Sequence, residues 1–271
     1  MPPMVNASTS VPEWRLLQLS YESAFENLAL EETLARTVNS KTDPTVRFWS
    51  NVPAVVLGRF QEASAEADLA ICESRKVQVA RRFTGGGAVF HDKGTLNFTI
   101  ITQPELGLNV SALHEKYSDI VIDSLRGLKV DCSFSPPNSV LIGGRKVFGA
   151  AAALGAHFAL WHGSVLVSTD TRTLEEVLAP SRRKMPTRFV RSQWKPVTTI
   201  EAAMGRSISI EEVQARLLRS LKEGFGIGIR EVGLLPAEED YLQRLLSRKY
   251  SLAQWNLYGN RFQAENKESV E

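Results

Sequence analysis

The sequence predicts one domain of the α+β class (mixed α/β), and three observations carry that prediction. Short runs alternating apolar and polar residues recur between Trp14 and Val232, as half-buried strands do. Between them lie amphipathic stretches such as Leu113, Tyr117, Ile120 and Val121, spaced for one face of a helix. Two glycine clusters, Gly85-Gly86-Gly87 and Gly143-Gly144, separate apolar runs, where backbone turns tightly or approaches a ligand. With 271 residues, 43% hydrophobic and 23% charged, the chain has the composition of an ordinary globular protein.

The elements follow in order. Residues 14–20 read as a first strand, and 23–35 as a helix burying Phe25, Leu28, Ala29 and Glu32. Residues 45–50 and 54–57 are strands parted by Asn51-Val52-Pro53. Gly58 then permits close ligand approach. Residues 65–76 suit a helix with Cys72 inward, and 77–80 a strand entering the triple glycine. Residues 87–90 and 95–101 read as a hairpin turning at His91-Asp92-Lys93-Gly94. A long helix spans 110–125, with His114 and Lys116 on its solvated side. Val130, Cys132 and Phe134 alternate with polar residues as a half-buried strand. Strands at 140–142 and from Lys146 onward flank Gly143-Gly144, and 160–167 is another. Thr173-x-x-Glu176 and Ser209-x-x-Glu212 have the form of capping boxes, the second opening a helix over 210–223 that stops at Gly224. An edge strand at 227–232, a helix at 238–248 and a closing segment at 251–256 complete the domain. The expected organisation is a loose tail at 1–13, a domain at 14–256 and a polar tail at 257–271.

Composition excludes several classes. A net charge of +2 gives no electrostatic case for nucleic acid or a membrane surface. No apolar run approaches the ~20 residues of a membrane-spanning helix. The N-terminus lacks a basic region followed by an apolar core, so it is no signal peptide. Two cysteines make no disulfide framework, and a reducing cytoplasm fits them. There is no internal repeat and no zinc-ligand spacing.

Chemistry concentrates in two stretches. In the first, Arg81-Arg82-Phe83-Thr84-Gly85-Gly86-Gly87-Ala88-Val89-Phe90-His91-Asp92, bare peptide N–H groups make a concave site for anions, and an arginine fork suits phosphate or carboxylate. It matches neither standard phosphate-loop signature. The reading is a loop gripping a nucleotide or acyl phosphate, against a glycine hairpin with solvated arginines. Asp92 is a turn-capping carboxylate or a ligand, and His91 faces either that turn or the pocket. In the second, residues 138–152, a strand turns at Gly143-Gly144, and very small side chains follow Lys146. A wall so lined leaves room for a flat ring or an extended chain; the alternative for Arg145-Lys146 is a solvated turn. His162-Gly163 inside an apolar strand marks a close approach or a satisfied core histidine. The basic run Arg182, Arg183, Lys184, Arg188, Arg191 and Lys195 is a solvated loop or a contact for an acidic partner domain.

RRFTGGGAVFHDKGTLNFT resembles the signature of the lipoate–protein ligase A family, grouped with biotin ligases and octanoyltransferases. Asn27-Leu28-Ala29, Glu31-Glu32, Gly58-x-x-Gln61, the Gly-x-Lys-x-x-Gly-x-Ala around Lys146, His162-Gly163 and Trp255-Asn256 are similar too, so the likeness spans roughly 15–256. It implies a biotin/lipoate-ligase-like catalytic domain with a mixed, largely antiparallel sheet flanked by helices. The implied activity joins lipoate to ATP as lipoyl-AMP and transfers the lipoyl group to a lysine of a carrier, either a lipoyl domain or a glycine-cleavage H-type protein. The resemblance makes Lys146 the catalytic contact to carboxylate and phosphate. It implies that Arg82, Thr84, Gly85, Gly86, Gly87, Ala88, Val89, Phe90, His91, Gly149, Ala151 and His162 bind substrate and ATP, with Asp92, Asn138 and Cys132 at the margin. Mg2+ is implied with ATP. No residue is assigned as a metal ligand, because the family's Asn-Asp before the lysine turn is Asn138-Ser139 here. Longer members carry a small accessory domain after Trp-Asn. This chain stops soon after, like the bipartite archaeal-type ligases, which implies a separate small accessory subunit. An octanoyl or lipoyl transferase acting through Cys132 is the alternative, although the alternation around Cys132 reads as a buried, inert thiol. A non-catalytic carrier-binding protein is a third reading, and biotin a further substrate; acyl identity stays open.

Overall fold

In the computed structural model, residues 11–182 and 189–259 are described. The expected tails at 1–13 and 257–271 fall largely outside them, as do Arg183, Lys184 and Arg188. The strands are β1 (Glu13–Leu17), β2 (Thr45–Trp49), β3 (Ala54–Leu57), β4 (Gln78–Arg81), β5 (Val89–His91), β6 (Thr95–Thr102), β7 (Ser133–Ser135), β8 (Ser139–Ile142), β9 (Arg145–Leu154), β10 (Ala159–Leu166) and β11 (Gly228–Glu231). The helices are α1 (Ala24–Thr37), α2 (Ala63–Glu66), α3 (Leu69–Ser74), α4 (Val110–Gly127), α5 (Thr171–Val177), α6 (Ile200–Met204), α7 (Ile210–Phe225) and α8 (Pro236–Leu245). Eight strands form one sheet in the order β11-β1-β2-β6-β10-β9-β8-β7, and β4-β3-β5 form a second. In the large sheet only the pairs of β1 are parallel, so the largely antiparallel mixed sheet is present as expected.

The strand period of two decides the layering. In β6, Leu96, Phe98 and Ile100 face one way and join Phe48, Phe148 and Trp161 in an apolar core under α4 and α7. Trp161 is fully buried, and its indole N–H donates to His114 Nδ1 at 3.1 Å. Truncating a side chain of that size to alanine costs about 3–5 kcal/mol. The opposite face of β6 carries Thr95, Asn97 and Thr99, covered by α1 and the small sheet. Polar residues therefore line the layer between the sheets, and the active-site candidates lie there.

Several local expectations are corrected. Strands β5 and β6 are no hairpin: β5 pairs with β3 and β6 with β2 and β10, in different sheets. The Asp92–Gly94 turn docks on the end of β10, where Val167 and Ser168 donate to Gly94 O, and a Cβ on Gly94 would meet Ser168 at 2.5 Å. That docking carries the chain from one sheet to the other. The helix expected over 65–76 is two helices, broken at Ala67 because the Asp68 carboxylate caps the Ile71 amide. His114 is buried rather than solvated, since it receives the Trp161 donor, and burial pushes its pKa down to about 4. Asp170, not Thr173, caps α5, a carboxylate being the better acceptor for two first-turn amides. Helix α7 runs past Gly224 and stops at Gly226, in the left-handed region at φ 60°. Ser209 caps it as expected.

Candidate active site

Adjacent strands bring two rungs of side chains together on the inner face of the large sheet. Trp49, Asn97, Ser164 and Gly149 form one, and Arg47, Thr99, His162 and Ala151 the next. Gly149 and Ala151 leave that face bare. A cavity of about 260 Å³ opens over it, just under the usual range of small-molecule sites. Leu28 of α1, Trp49 and Val56 line its apolar part; Gly86–Ala88, Lys146, Lys195 and Asn138 line its polar part. A side lobe of about 90 Å³ continues past Lys146 between Phe90, Phe148, Leu166 and Val197.

The glycine loop is held from beneath. Arg82 spends its fork on the loop's own backbone: Nη2 donates to Gly85 O at 2.6 Å and to Gly87 O at 2.7 Å, Nε to Thr84 Oγ1 at 3.0 Å and Nη1 to Val56 O at 3.1 Å. It lines the cavity but acts first as the loop's scaffold. Gly86 sits at φ 89°, and a Cβ there would meet Arg82 Nη2 at 2.9 Å; no other residue suits that place. The amides of Gly85, Gly86 and Gly87 meet no acceptor among the described residues, whereas the Ala88 amide donates to Ser192 Oγ at 2.7 Å. Successive N–H groups without an acceptor in such a turn can form an anion seat.

Lys146 completes the polar part. Its chain lies over Gly149, where an added Cβ would stand 2.4 Å from Cε and Nζ. No acceptor among the described residues reaches the ammonium. Burial, with Lys195 and Arg82 near, pushes its pKa down to about 8. Lys195 donates to Ser135 Oγ at 3.2 Å. Four cationic side chains, Arg82, Lys146, Arg191 and Lys195, thus border one cavity, and the single lining carboxylate, Glu31, is engaged by His162 and Thr99.

Glu31 accepts from His162 Nδ1 at 2.9 Å and from the Thr99 hydroxyl. Burial alone would raise its pKa; His162 and the two hydrogen bonds outweigh burial and lower it. His162 Nε2 meets Thr84 Oγ1 at 2.9 Å, which joins α1, β10 and the glycine loop in one chain of polar contacts. His91 Nε2 and Ser164 Oγ share a hydrogen bond at 2.9 Å, and Ser164 donates to Asn97 Oδ1 at 2.8 Å. Burial pushes the His91 pKa down to about 3, so it is neutral.

Of the residues predicted from sequence, Arg82, Gly86, Gly87, Ala88, Val89, His91, Asn138, Lys146, Gly149, Ala151 and His162 line the cavity. Thr84 is buried behind it, and Gly85 lies on the outer turn beside Phe60. Phe90 borders the side lobe. Asp92 does not line the cavity: it accepts from the Gly94 and Asp170 amides and from Thr95 Oγ1, a turn-capping carboxylate. Asn138 exchanges bonds with Ala150, fixing β8 on β9. The close approach at Gly163 is made by the Phe148 ring, 2.2 Å from where a Cβ would be, so that glycine serves the core. Cys132 is buried in the apolar core with its thiol on Ile122 O, and burial raises its pKa. Sequence reasoning missed Glu31, treated as helix packing, together with Trp49, Asn97, Ser164, Ser192 and Lys195. The strand alternation places Asn97 and Ser164 on the polar face, a signal present in the sequence.

Among the described residues no group of three His, Cys, Asp or Glu side chains could hold a metal ion. Among its described residues the polar part of the cavity holds no carboxylate, the ligand Mg2+ is usually given by a protein; Mg2+ bound there would be held chiefly by a phosphate ligand. No helix of the described residues is long and apolar enough to cross a membrane.

A profile of the lipoyl protein ligase A/B catalytic domain matches residues 23–222. The chain belongs to that family. Lipoate-protein ligase A subunit 1 of Thermoplasma acidophilum is 32% identical over 241 residues, 85% of this chain and 91% of that one. A solved bipartite lipoate protein ligase from the same organism, studied with its E2 lipoyl domain, superposes with a TM-score of 0.81 at 31% identity, covering 90% of this chain and 96% of that one. A lipoate-protein ligase A bound with ATP gives a TM-score of 0.80 at 31% identity, covering 90% and 98%. The octanoyltransferase LipM of Carboxydothermus hydrogenoformans is 28% identical over 263 residues, 89% of this chain and 97% of that one. The family thus spans ligases and acyltransferases, and the site must separate them.

Proposed function

We propose that this chain is a lipoate–protein ligase whose catalytic domain is residues 14–256. The observation that carries the reading is that the ammonium of Lys146, with no acceptor among the described residues, lines the same cavity as Gly86 and Gly87, whose amides are also unengaged, beside an apolar slot. A carboxylate is a poor electrophile and needs activation. The lipoate oxygen attacks the α-phosphorus of ATP, the bond to the β-phosphate oxygen breaks, and pyrophosphate leaves. Lys146 and the loop amides hold the charge that gathers on the phosphoryl oxygens. The slot of Leu28, Trp49 and Val56 over Gly149 and Ala151 holds the apolar tail, and the side lobe receives the base. The amine of a carrier lysine then attacks the acyl carbonyl and AMP leaves with the bonding pair; holding both reactants close supplies much of the rate.

The carrier is a lipoyl domain or H-type protein, and a separate small subunit assists adenylation; the bipartite relative supports both. The buried unpaired thiols of Cys72 and Cys132 suit a cytoplasmic setting. An acyl-enzyme route through Cys132 lacks support, because that thiol lies in the apolar core, away from the cavity. The test is mass spectrometry of a lipoyl domain after incubation with this chain, ATP, lipoate and the candidate second subunit. A gain of one lipoyl group that needs ATP supports the reading; a gain from acyl carrier protein without ATP removes it.

A further inference from the structure

We propose that Trp255 and Asn256, which lie outside the cavity, are positioning residues for adenylation: they set the glycine loop through Arg81. The inference rests on the ligase reading above and adds residues to it.

Arg81 ends β4 and is fully buried. Its guanidinium donates to backbone carbonyls of two segments. Nη1 reaches Gly58 O at 2.9 Å and Gln61 O at 2.7 Å; Nε reaches Trp255 O at 3.0 Å and Nη2 reaches Leu257 O at 2.9 Å. Its peptide is held from the same side: the Trp255 indole N–H donates to Arg81 O at 2.9 Å, and the Arg81 amide donates to Asn256 Oδ1 at 3.1 Å. Asn256 is pinned in turn by donating to Tyr250 O and Leu252 O. The end of β4 is therefore locked on both backbone and side chain by residues 255–257.

What hangs from that lock is the anion seat. The next residue, Arg82, grips Gly85 and Gly87. The Gly58–Gln61 turn that Arg81 clamps packs under Gly86, so close that a Cβ on Gly58 would stand 2.1 Å from Gly86 O. A second route meets the first. Lys249 and Tyr250, just upstream, donate to Glu32 at 2.5 and 2.7 Å; the neighbouring Glu31 holds His162, which meets the same Thr84 that Arg82 Nε holds. Both routes run from the C-terminal segment to Thr84 at the head of the glycine loop. A small rotation of Arg81 would move the loop amides relative to Lys146, and sub-ångström placement decides such catalysis.

The experiment compares full-length wild type, Trp255→Phe and Asn256→Ala, with Leu252→Ala, an exposed side chain in the same segment, as a control. Steady-state lipoylation of a lipoyl domain is measured in the mixture that supports wild-type turnover, well below every melting temperature. Transfer from preformed lipoyl-AMP is measured beside it. For Trp255→Phe and Asn256→Ala, kcat/KM for ATP falls about tenfold or more, KM for lipoate stays within about twofold, and transfer from preformed adenylate falls less. Leu252→Ala behaves as wild type. Parameters that all fall together, in step with lost stability, make the segment merely structural and overturn the proposal, as does unchanged ATP dependence. If wild type itself forms no lipoyl-AMP, the ligase reading falls and takes this inference with it; if only the variants fail to differ, the inference falls alone.

Discussion

Replacing Lys146 by methionine is expected to stop adenylation and, at the same time, to stabilise the fold. The ammonium has no acceptor among the described residues, and its pKa drops from the ordinary 10.5 to about 8 through burial and the neighbouring Lys195 and Arg82. A tenfold change in proton affinity is about 1.4 kcal/mol, so carrying this proton in the fold costs about 3 kcal/mol at pH 7 as an upper bound. The residue is not sealed from solvent, and screening reduces that to about 1–2 kcal/mol. Methionine keeps the apolar stem over Gly149 without the charge. For a domain of this size the gain appears as about 2–8 °C in Tm. The sign follows from linkage: the folded pKa lies below the unfolded one, so the fold is penalised at every pH below about 8, and the penalty fades as pH rises toward 10.5. The advantage of Lys146→Met is therefore full at pH 7 and nearly gone by about pH 10. Thermal unfolding of both proteins at the two pH values, beside lipoylation of a lipoyl domain, measures it. A variant less stable than wild type at pH 7, or one that still lipoylates at a comparable rate, would refute the reasoning.

Three further outcomes follow from the site. Gly149→Ala places a methyl 2.4 Å from Lys146 Nζ; the flexible lysine tip moves aside, so the protein melts within a few degrees of wild type while lipoylation falls about tenfold or more in a turnover assay. Cys132→Ser buries a hydroxyl in the apolar core, costs about 1–3 kcal/mol in denaturant unfolding and leaves turnover within a few-fold; abolished activity with a trapped acyl thioester on the wild type would instead establish the transferase. Glu31→Gln breaks the buried contact to His162 and costs about 3 kcal/mol at pH 7. Because the Glu31 pKa is lowered in the fold, its contribution is complete above pH 4.5 and lost as pH falls through the lower folded value, so the gap to wild type closes in acid melts.

Most strands and long helices were legible because one period dominates each. Alternation marked β1, and helical spacing marked α4 and α7. What alternation could not decide was which sheet a strand joins. The turn at Asp92–Gly94 has ordinary hairpin chemistry, and only its docking on Ser168 and Thr169 sends β6 to a different partner from β5. The site was legible where backbone chemistry is unusual, at Gly85–Gly87 and at Lys146–Ala151. It was illegible where ordinary residues become functional by register. Asn97 and Ser164 are plain strand residues until pairing sets them beside Gly149. Glu31 reads as helix packing until His162 arrives from β10. His114 was misread for the same reason, since its partner Trp161 lies 47 residues away.

On the proposed ligase reading, the site divides its work between two sets of residues that the sequence treats very differently. The anion-handling set, Lys146 with the loop amides, needs particular residue types, because a close-approaching backbone admits only glycine and a point charge only an ammonium. It is therefore written as motifs. The acyl-handling set is Leu28, Trp49 and Val56 against a bare stretch of β9, and apolar contact asks only for volume and shape. One methylene in such a slot is worth about 1–3 kcal/mol, so exchanging any of these side chains would retune acyl preference without touching a motif. The ATP-dependent chemistry can therefore be argued from the motif residues. On the same reading, the choice among lipoate, octanoate and biotin would be set by the space between Trp49 and Ala151, which both line the cavity.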